Sequence, residues 1–157
     1  MLADQLKLAA ISFDAIYSSD LARAFTTAQI IGQAVGVSPK PIPELREINC
    51  GEWQGKLASD IAAHQPELLE RWRTVVSSSV VPGGESLIEV QDRTFTFYKS
   101  VVSPHAGAAI VLVSHGAALV ALLAAILETD LAEEWQSRRL KLDNTGVTVV
   151  AQDLFGG

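Results

Sequence analysis

Ala109-Ile110-Val111-Leu112-Val113-Ser114-His115-Gly116-Ala117 runs from five apolar residues into a serine, a histidine and a glycine. Its core, Ile-Val-Leu-Val, favours a strand. With no polar residue from 109 to 113, both faces of that strand need cover, as in a parallel sheet flanked by helices. Beyond Gly116 the chain stays apolar to Leu127 and is rich in alanine and leucine, which favours a helix. Residues 108–127 form the longest apolar stretch, but Ser114-His115-Gly116 interrupts it, and a buried strand followed by a buried helix fits better than a membrane span.

Working outward, the same alternation recurs. Residues 13–17 predict a short strand, and Ser18-Ser19-Asp20 then caps a helix running to about Ala34, stopped by Gly36. Residues 39–43 are extended and interrupted by prolines, which suits a sheet edge. Residues 44–55 form a loop holding Gly51 and Gly55. Helices are expected at 57–64 and 67–75, broken at Pro66, and at 87–102 after the loop Val81-Pro82-Gly83-Gly84-Glu85-Ser86. A charged amphipathic helix follows at 130–140. Asn144-Thr145-Gly146 turns into a last strand, 147–151, and residues 2–10 carry a helical spacing of their own. Strands alternating with helices define an α/β class with a mostly parallel, helix-covered sheet.

Composition sets limits on function. The 157 residues are 48% hydrophobic with mean hydropathy +0.25, enough for one ordinary domain with a real core. Net charge is −6 and no run of Lys or Arg occurs, so neither nucleic acid nor a membrane is expected as partner. Any anion site must be built locally against that field. The single cysteine, Cys50, cannot close an internal disulfide and has no metal-spaced neighbours. It reads as a packing residue, and a reducing cytoplasm is the simplest compartment.

Three stretches carry chemistry. Arg23 falls in the first turn of the helix after Tyr17-Ser18-Ser19-Asp20, where the helix dipole disfavours a cation. An anion bound by bare amides and the guanidinium would account for it; a surface pair with Asp20 or Glu47 would also do so. His115 follows a buried strand, at the end where parallel sheets bind ligands, and Gly116 would let backbone approach one. A hydrogen-bonded core histidine is the competing reading. The loop from Glu44 to Gly55 holds three carboxylates, Glu44, Glu47 and Glu52, either a general acid among them or a solvated acidic surface.

Taken in order, these stretches resemble the histidine phosphatase superfamily, also called phosphoglycerate-mutase-like. Five motifs carry the likeness: Tyr17-Ser18-Ser19-Asp20-Leu21-Ala22-Arg23-Ala24 with Thr27-Ala28; Leu45-Arg46-Glu47 with Gly51-Glu52-Trp53-Gln54-Gly55; Pro82-Gly83-Gly84-Glu85-Ser86; Val113-Ser114-His115-Gly116; and Asp143-Asn144-Thr145-Gly146-Val147. The resemblance implies a three-layer α/β/α fold and phosphomonoester hydrolysis through a phosphohistidine. It makes Arg23 a phosphate clamp, Glu47 the proton donor and later base, and His115 the second histidine, with Gly116 and Ala117 offering backbone N–H groups. It implies no metal and no organic cofactor. The partner is a small phosphorylated metabolite or inorganic phosphate, and the optimum is acidic to neutral because Glu47 must start protonated. The compact stretch between Gly55 and Pro82 points to the small phosphatase branch, with Trp53, Trp72 and Arg73 as possible contacts at the pocket mouth.

The family's nucleophile stands in an Arg-His-Gly motif at the end of its first strand. No such motif occurs among the 157 residues, whose histidines are His64, His105 and His115. His64 and His105 read as surface residues. The expectation is a single domain, 1–157, truncated at its N-terminus alone or at both ends. It would lack the first central strand beside the one ending at Val113, be inactive alone, and be destabilised, be rearranged or complete its sheet with another chain such as a second copy. A non-catalytic phosphoester-binding or interaction module, mutase-type phosphoryl transfer, and an unrelated enzyme using His115 and Glu47 as an acid–base pair stand as alternatives.

Overall fold

The computed structural model describes residues 11–102 and 107–151. Three strands, β1 (Ala15–Ser18), β2 (Pro39–Pro41) and β3 (Ile110–Val113), form a parallel sheet in the order β2-β1-β3. Six α-helices lie among the described residues: α1 (Ala22–Val35), α2 (Ala58–His64), α3 (Pro66–Thr74), α4 (Leu87–Val102), α5 (Gly116–Ile126) and α6 (Leu131–Ser137). The α/β class and the parallel sheet agree with the sequence. Contacts gather into two units, one of residues 11–46, 96–102, 107–115 and 142–151, the other of residues 47–95 and 116–141.

In the first unit the period-2 alternation of the strands sorts side chains to two faces. Ile16, Val111 and Val113 pack with Ala28, Ile31 and Val35 of α1. Ala15, Tyr17, Ile110 and Leu112 pack with Leu45, Phe97 and Val101, the last two from the end of α4. The sheet of this unit is therefore covered on both faces. Gly36 ends α1 in the left-handed region (φ 79°), where its N–H and that of Val37 both return to the Gly32 carbonyl, at 2.8 and 3.1 Å.

The second unit packs α5 against α4 and α6, with Leu87, Val90, Ala117, Ala118, Ala121, Ala124, Leu131 and Val76 at its core. Seven of the eleven residues of α5 are buried, a helix apolar nearly all round because it is enclosed. No described helix is long and apolar enough to cross a membrane. Ser86 and Glu89 start α4 as a reciprocal cap. Glu89 Oε2 accepts from the Ser86 N–H (2.7 Å) and hydroxyl (2.9 Å), and the Glu89 N–H donates to Ser86 Oγ (3.2 Å). Those bonds, the backbone one foremost, hold the Glu89 carboxyl below the usual carboxylate range.

Four expectations change. The first strand ends at Ser18, so Ser18-Ser19-Asp20 does not cap α1; Leu21 is the N-cap and has no side-chain cap bond. β3 is half-buried rather than fully buried, because β1 holds the centre of the sheet and β3 is an edge among the described residues. No strand forms at 147–151. Val149 is 86% exposed there, and without a neighbouring edge a β-branched run has nothing to pair with. The helix expected at 130–140 ends at Ser137, because Arg138 turns left-handed (φ 57°), while Asp130 caps it by accepting from the Glu133 N–H. The helix expected at 2–10 and the turn at His105 lie outside the described residues.

Leu87 and Ile88 are neighbours on α4 with opposite surroundings, 0% and 42% exposed. Leu87→Ala is expected to lower unfolding free energy by about 2–5 kcal/mol, and Ile88→Ala by less than about 0.5 kcal/mol, measured by urea titration of tryptophan fluorescence. Equal losses would show that Leu87 is not the packing anchor.

Candidate functional site

The register of β1 and β3 sets the first group of side chains. Ser18 lies opposite Val113, and the Ser19 N–H donates to the Val113 carbonyl at 2.8 Å. The next residues along both chains, at the carboxyl ends of adjacent parallel strands, therefore meet where α/β sheets bind ligands. His115 is 8% exposed and both ring nitrogens are engaged. Arg23, in the first turn of α1, donates from Nε to His115 Nδ1 at 3.1 Å, and His115 Nε2 lies 2.8 Å from Ser19 Oγ. A guanidinium always donates, so Nδ1 accepts and the ring proton sits on Nε2. The Ser19 hydroxyl then accepts from His115, and also from the Leu21 N–H at 3.3 Å.

Among the described residues neither terminal amino group of Arg23 has a partner. The carboxylate that might have neutralised it, Asp20, is gripped by Arg46 through two bonds of 2.6 and 2.5 Å. That grip holds the Asp20 carboxyl below its ordinary range. Arg23 thus places a cation, with both terminal amino groups unspent among the described residues, at the positive end of α1, where the dipole favours an anion instead.

The second group belongs to the other unit. Glu47 Oε1 accepts from the N–H groups of Ile48 (3.0 Å) and Ala118 (3.1 Å), and Oε2 from that of Ala117 (3.3 Å). The first turn of α5 thus has a carboxylate on its amides, the arrangement its dipole favours. The Ala117 N–H, expected to be open to phosphate, is held by Glu47 in the unliganded chain. A Cβ built on Gly116 would come only as near as 3.9 Å to Glu47 Oε2, so that carboxylate does not demand glycine there.

The Glu47 loop is pinned from behind. Arg93 forks onto Glu85 at 2.9 and 3.0 Å and donates to the Glu47 carbonyl at 3.3 Å. Glu85 in turn accepts from the Asn49 N–H and donates its own N–H to the Asn49 carbonyl. Gly51 (φ 50°) lies so close to the Pro82 carbonyl that any side chain would collide with it, and a Cβ on Gly84 would come within 2.5 Å of the Asn49 carbonyl. These contacts explain why two glycine-bearing loops far apart in sequence both read as motifs.

Other candidates resolve as packing or surface. Trp53 is buried and stacks edge-on against Trp72, which does the same with Trp135, so two of the suggested mouth contacts are structural. Burial, with Glu47 and Glu85 adding to it, pushes the Cys50 thiol up, away from a reactive thiolate. His64 is exposed. Among the described residues no group of three or more His, Cys, Asp or Glu could hold a metal ion. Three residues escaped the sequence reading. Arg93 and Glu85 carry no spacing signal for their fork, and Ser19 gave no sign of pairing with a histidine 96 positions away.

A sequence model of the histidine phosphatase superfamily (branch 1) matches residues 2–154 and runs through both units; the chain belongs to that family. Phosphoserine phosphatase 1 of Hydrogenobacter thermophilus is 32% identical over 87% of this chain and 64% of its own length. A probable phosphoglycerate mutase of Escherichia fergusonii is 34% identical over 86% and 61%. The chain thus spans somewhat over three fifths of the length of these curated relatives. A mycobacterial glucosyl-3-phosphoglycerate phosphatase, solved in complex with VO3, superposes with a TM-score of 0.79 at 30% identity over 92% of this chain and 70% of that one.

The geometry makes one direct spectroscopic demand. Long-range 15N–1H spectra of the imidazoles are expected to show His115 as the neutral Nε2–H tautomer in wild type, and mixed tautomers in Arg23→Ala. A wild-type His115 protonated at Nδ1 would contradict the hydrogen-bond assignment.

Proposed function

We propose that Arg23 and His115 bind the phosphoryl group of a small phosphomonoester, and that Glu47 supplies the leaving-group proton in phosphoester hydrolysis where the family's nucleophilic histidine is also present. The observation that carries this reading is the Arg23–His115 contact of 3.1 Å at the sheet's carboxyl edge, with both terminal amino groups of Arg23 unspent. Phosphoryl transfer depends on positioned positive charge above all, and this is what the cluster offers. Gly116 and Ala117 contribute amides once the anion competes with Glu47 for them. The family membership and the phosphatase relatives support hydrolysis over other chemistries, and the compact 56–81 segment supports a phosphatase over a mutase. The substrate class is a small phosphorylated metabolite, and the compartment the cytoplasm. No metal or organic cofactor has a role in this scheme.

No Arg-His-Gly stands in the 157 residues, so this chain is proposed to bind phosphate without turning phosphoesters over. The half-buried apolar β3, an edge among the described residues, supports pairing with a second copy.

Titration calorimetry with inorganic phosphate tests the site. Arg23→Ala is expected to weaken binding by about 10–100-fold, the loss of a charge-assisted pair; unchanged affinity would remove Arg23 from the site. Wild type is expected to leave p-nitrophenyl phosphate intact, and turnover abolished by His115→Ala would overturn the binding-only role of these 157 residues. Light scattering behind size exclusion is expected to show a dimer; a monomer at every concentration would refute the edge pairing.

A further inference from the structure

Arg46 has no part in the scheme above, yet its backbone is seated beside the residues that do. Leu45, immediately before it, is fully buried, and the Leu45 carbonyl accepts from Ser114 Oγ at 2.7 Å. The Ile42 N–H donates to the Ser18 carbonyl at 2.7 Å, and the Arg46 N–H closes the short turn Pro43–Leu45 on the Pro43 carbonyl at 3.0 Å. Ser18 and Ser114 directly precede Ser19 and His115. The bonds that place Arg46 therefore come from the same two strand ends that carry Ser19 and His115.

From that seat the guanidinium forks onto Asp20, Nε to Oδ1 at 2.6 Å and a terminal amino group to Oδ2 at 2.5 Å. These bonds hold the Asp20 carboxyl below its ordinary range, so it is fully ionised near neutral pH. Asp20 stands between Ser19 and the start of α1, three residues before Arg23, a spacing at which acid and base meet across one turn of chain. A loose carboxylate there would take up the terminal amino groups of Arg23 and repel an incoming anion. With the Arg46 side chain 52% exposed, the pair adds little to stability. Its consequence is for the charge presented beside Arg23.

We infer that Arg46 is a positioning residue for anion binding, whose fork on Asp20 keeps that carboxylate off Arg23 and leaves the Arg23 terminal amino groups to the ligand; this rests on the phosphate-binding reading above. The role is one of charge management. Were Arg46 itself a ligand of the anion, neutralising Asp20 would not restore binding lost with Arg46. Were it a surface staple alone, its removal would move stability and leave affinity in place. Only a guard over Asp20 makes the loss at position 46 depend on the charge at position 20.

Inorganic phosphate, titrated calorimetrically at low ionic strength, is the probe. Arg46→Ala is expected to weaken binding by about 3–10-fold, a loss that shrinks as salt is raised. Asp20→Asn is expected to bind at least as tightly as wild type. The double variant Arg46→Ala/Asp20→Asn is expected to return to within about twofold of Asp20→Asn alone, a rescue that a structural role for Arg46 would not produce. Without ligand, 15N–1H spectra of the arginine side chains are expected to show the Arg23 Nε–H resonance moving in Arg46→Ala and returning in the double variant. Unchanged affinity in Arg46→Ala, or a loss that Asp20→Asn does not restore, would overturn the positioning role and leave the phosphate site standing. No phosphate binding to wild type at all would overturn both.

Discussion

Ser18 faces Val113 across the parallel pairing of β1 and β3, and the ladder closes with the Ser19 N–H on the Val113 carbonyl. The candidate site of the first unit depends on that register. A slip of one residue would send Ser19 to the other face and replace the hydroxyl opposite His115 with a neighbouring side chain. The faces on either side of the sheet resist such a slip. Ile16 and Val111 are committed to α1, while Tyr17 and Leu112 are committed to Leu45 and the end of α4. The packing that stabilises the sheet is thus the same packing that aims the polar residues at its carboxyl edge.

The second unit solves a different problem with the same physics. The first turn of α5 presents amides that the helix itself cannot pair. Glu47 answers them with both carboxylate oxygens, and Arg93, gripping Glu85 and the Glu47 carbonyl, ties its loop to α4. Glycine is needed at Gly51 and Gly84 because the two loops touch through backbone, leaving no room for a Cβ. The loop that carries the proposed acid is therefore held by main-chain contacts, and substitutions on its exposed side should disturb Glu47 less than any added bulk at those glycines.

Much of this was legible in the sequence. The three parallel strands, the bounds of the helix at 87–102 and the Gly36 stop follow from periodicity and punctuation. What the sequence concealed was pairing across distance. Arg23 in the first turn of a helix called for a counter-ion, and both proposed partners were acids; the structure instead gives it a histidine and gives Asp20 to Arg46. Local charge proximity is a weak guide when exposed pairs contribute so little. The strand expected at 147–151 was misread for a related reason, since a β-branched run states a preference that only a neighbouring edge can satisfy.

Arg23 against a neutral imidazole is an arrangement with stored purpose. A guanidinium beside a histidine is a poor stabilising contact by itself, because it brings no counter-charge and leaves both terminal amino groups of the cation unspent among the described residues. Such a cluster is tolerable because the surrounding fold is rigid: Ser19 is locked into the ladder, α1 is anchored by Ala28 and Ile31, and β3 fixes the approach of His115. Donors preorganised in this way need no rearrangement of backbone to receive an anion, and preorganised charge acts at full strength in a partly buried site. The second unit shows what the alternative looks like, since there the amides already hold a carboxylate and any incoming anion must compete for them. Arg23 thus keeps its terminal amino groups unspent among the described residues, whereas the amides of α5 are already taken by Glu47.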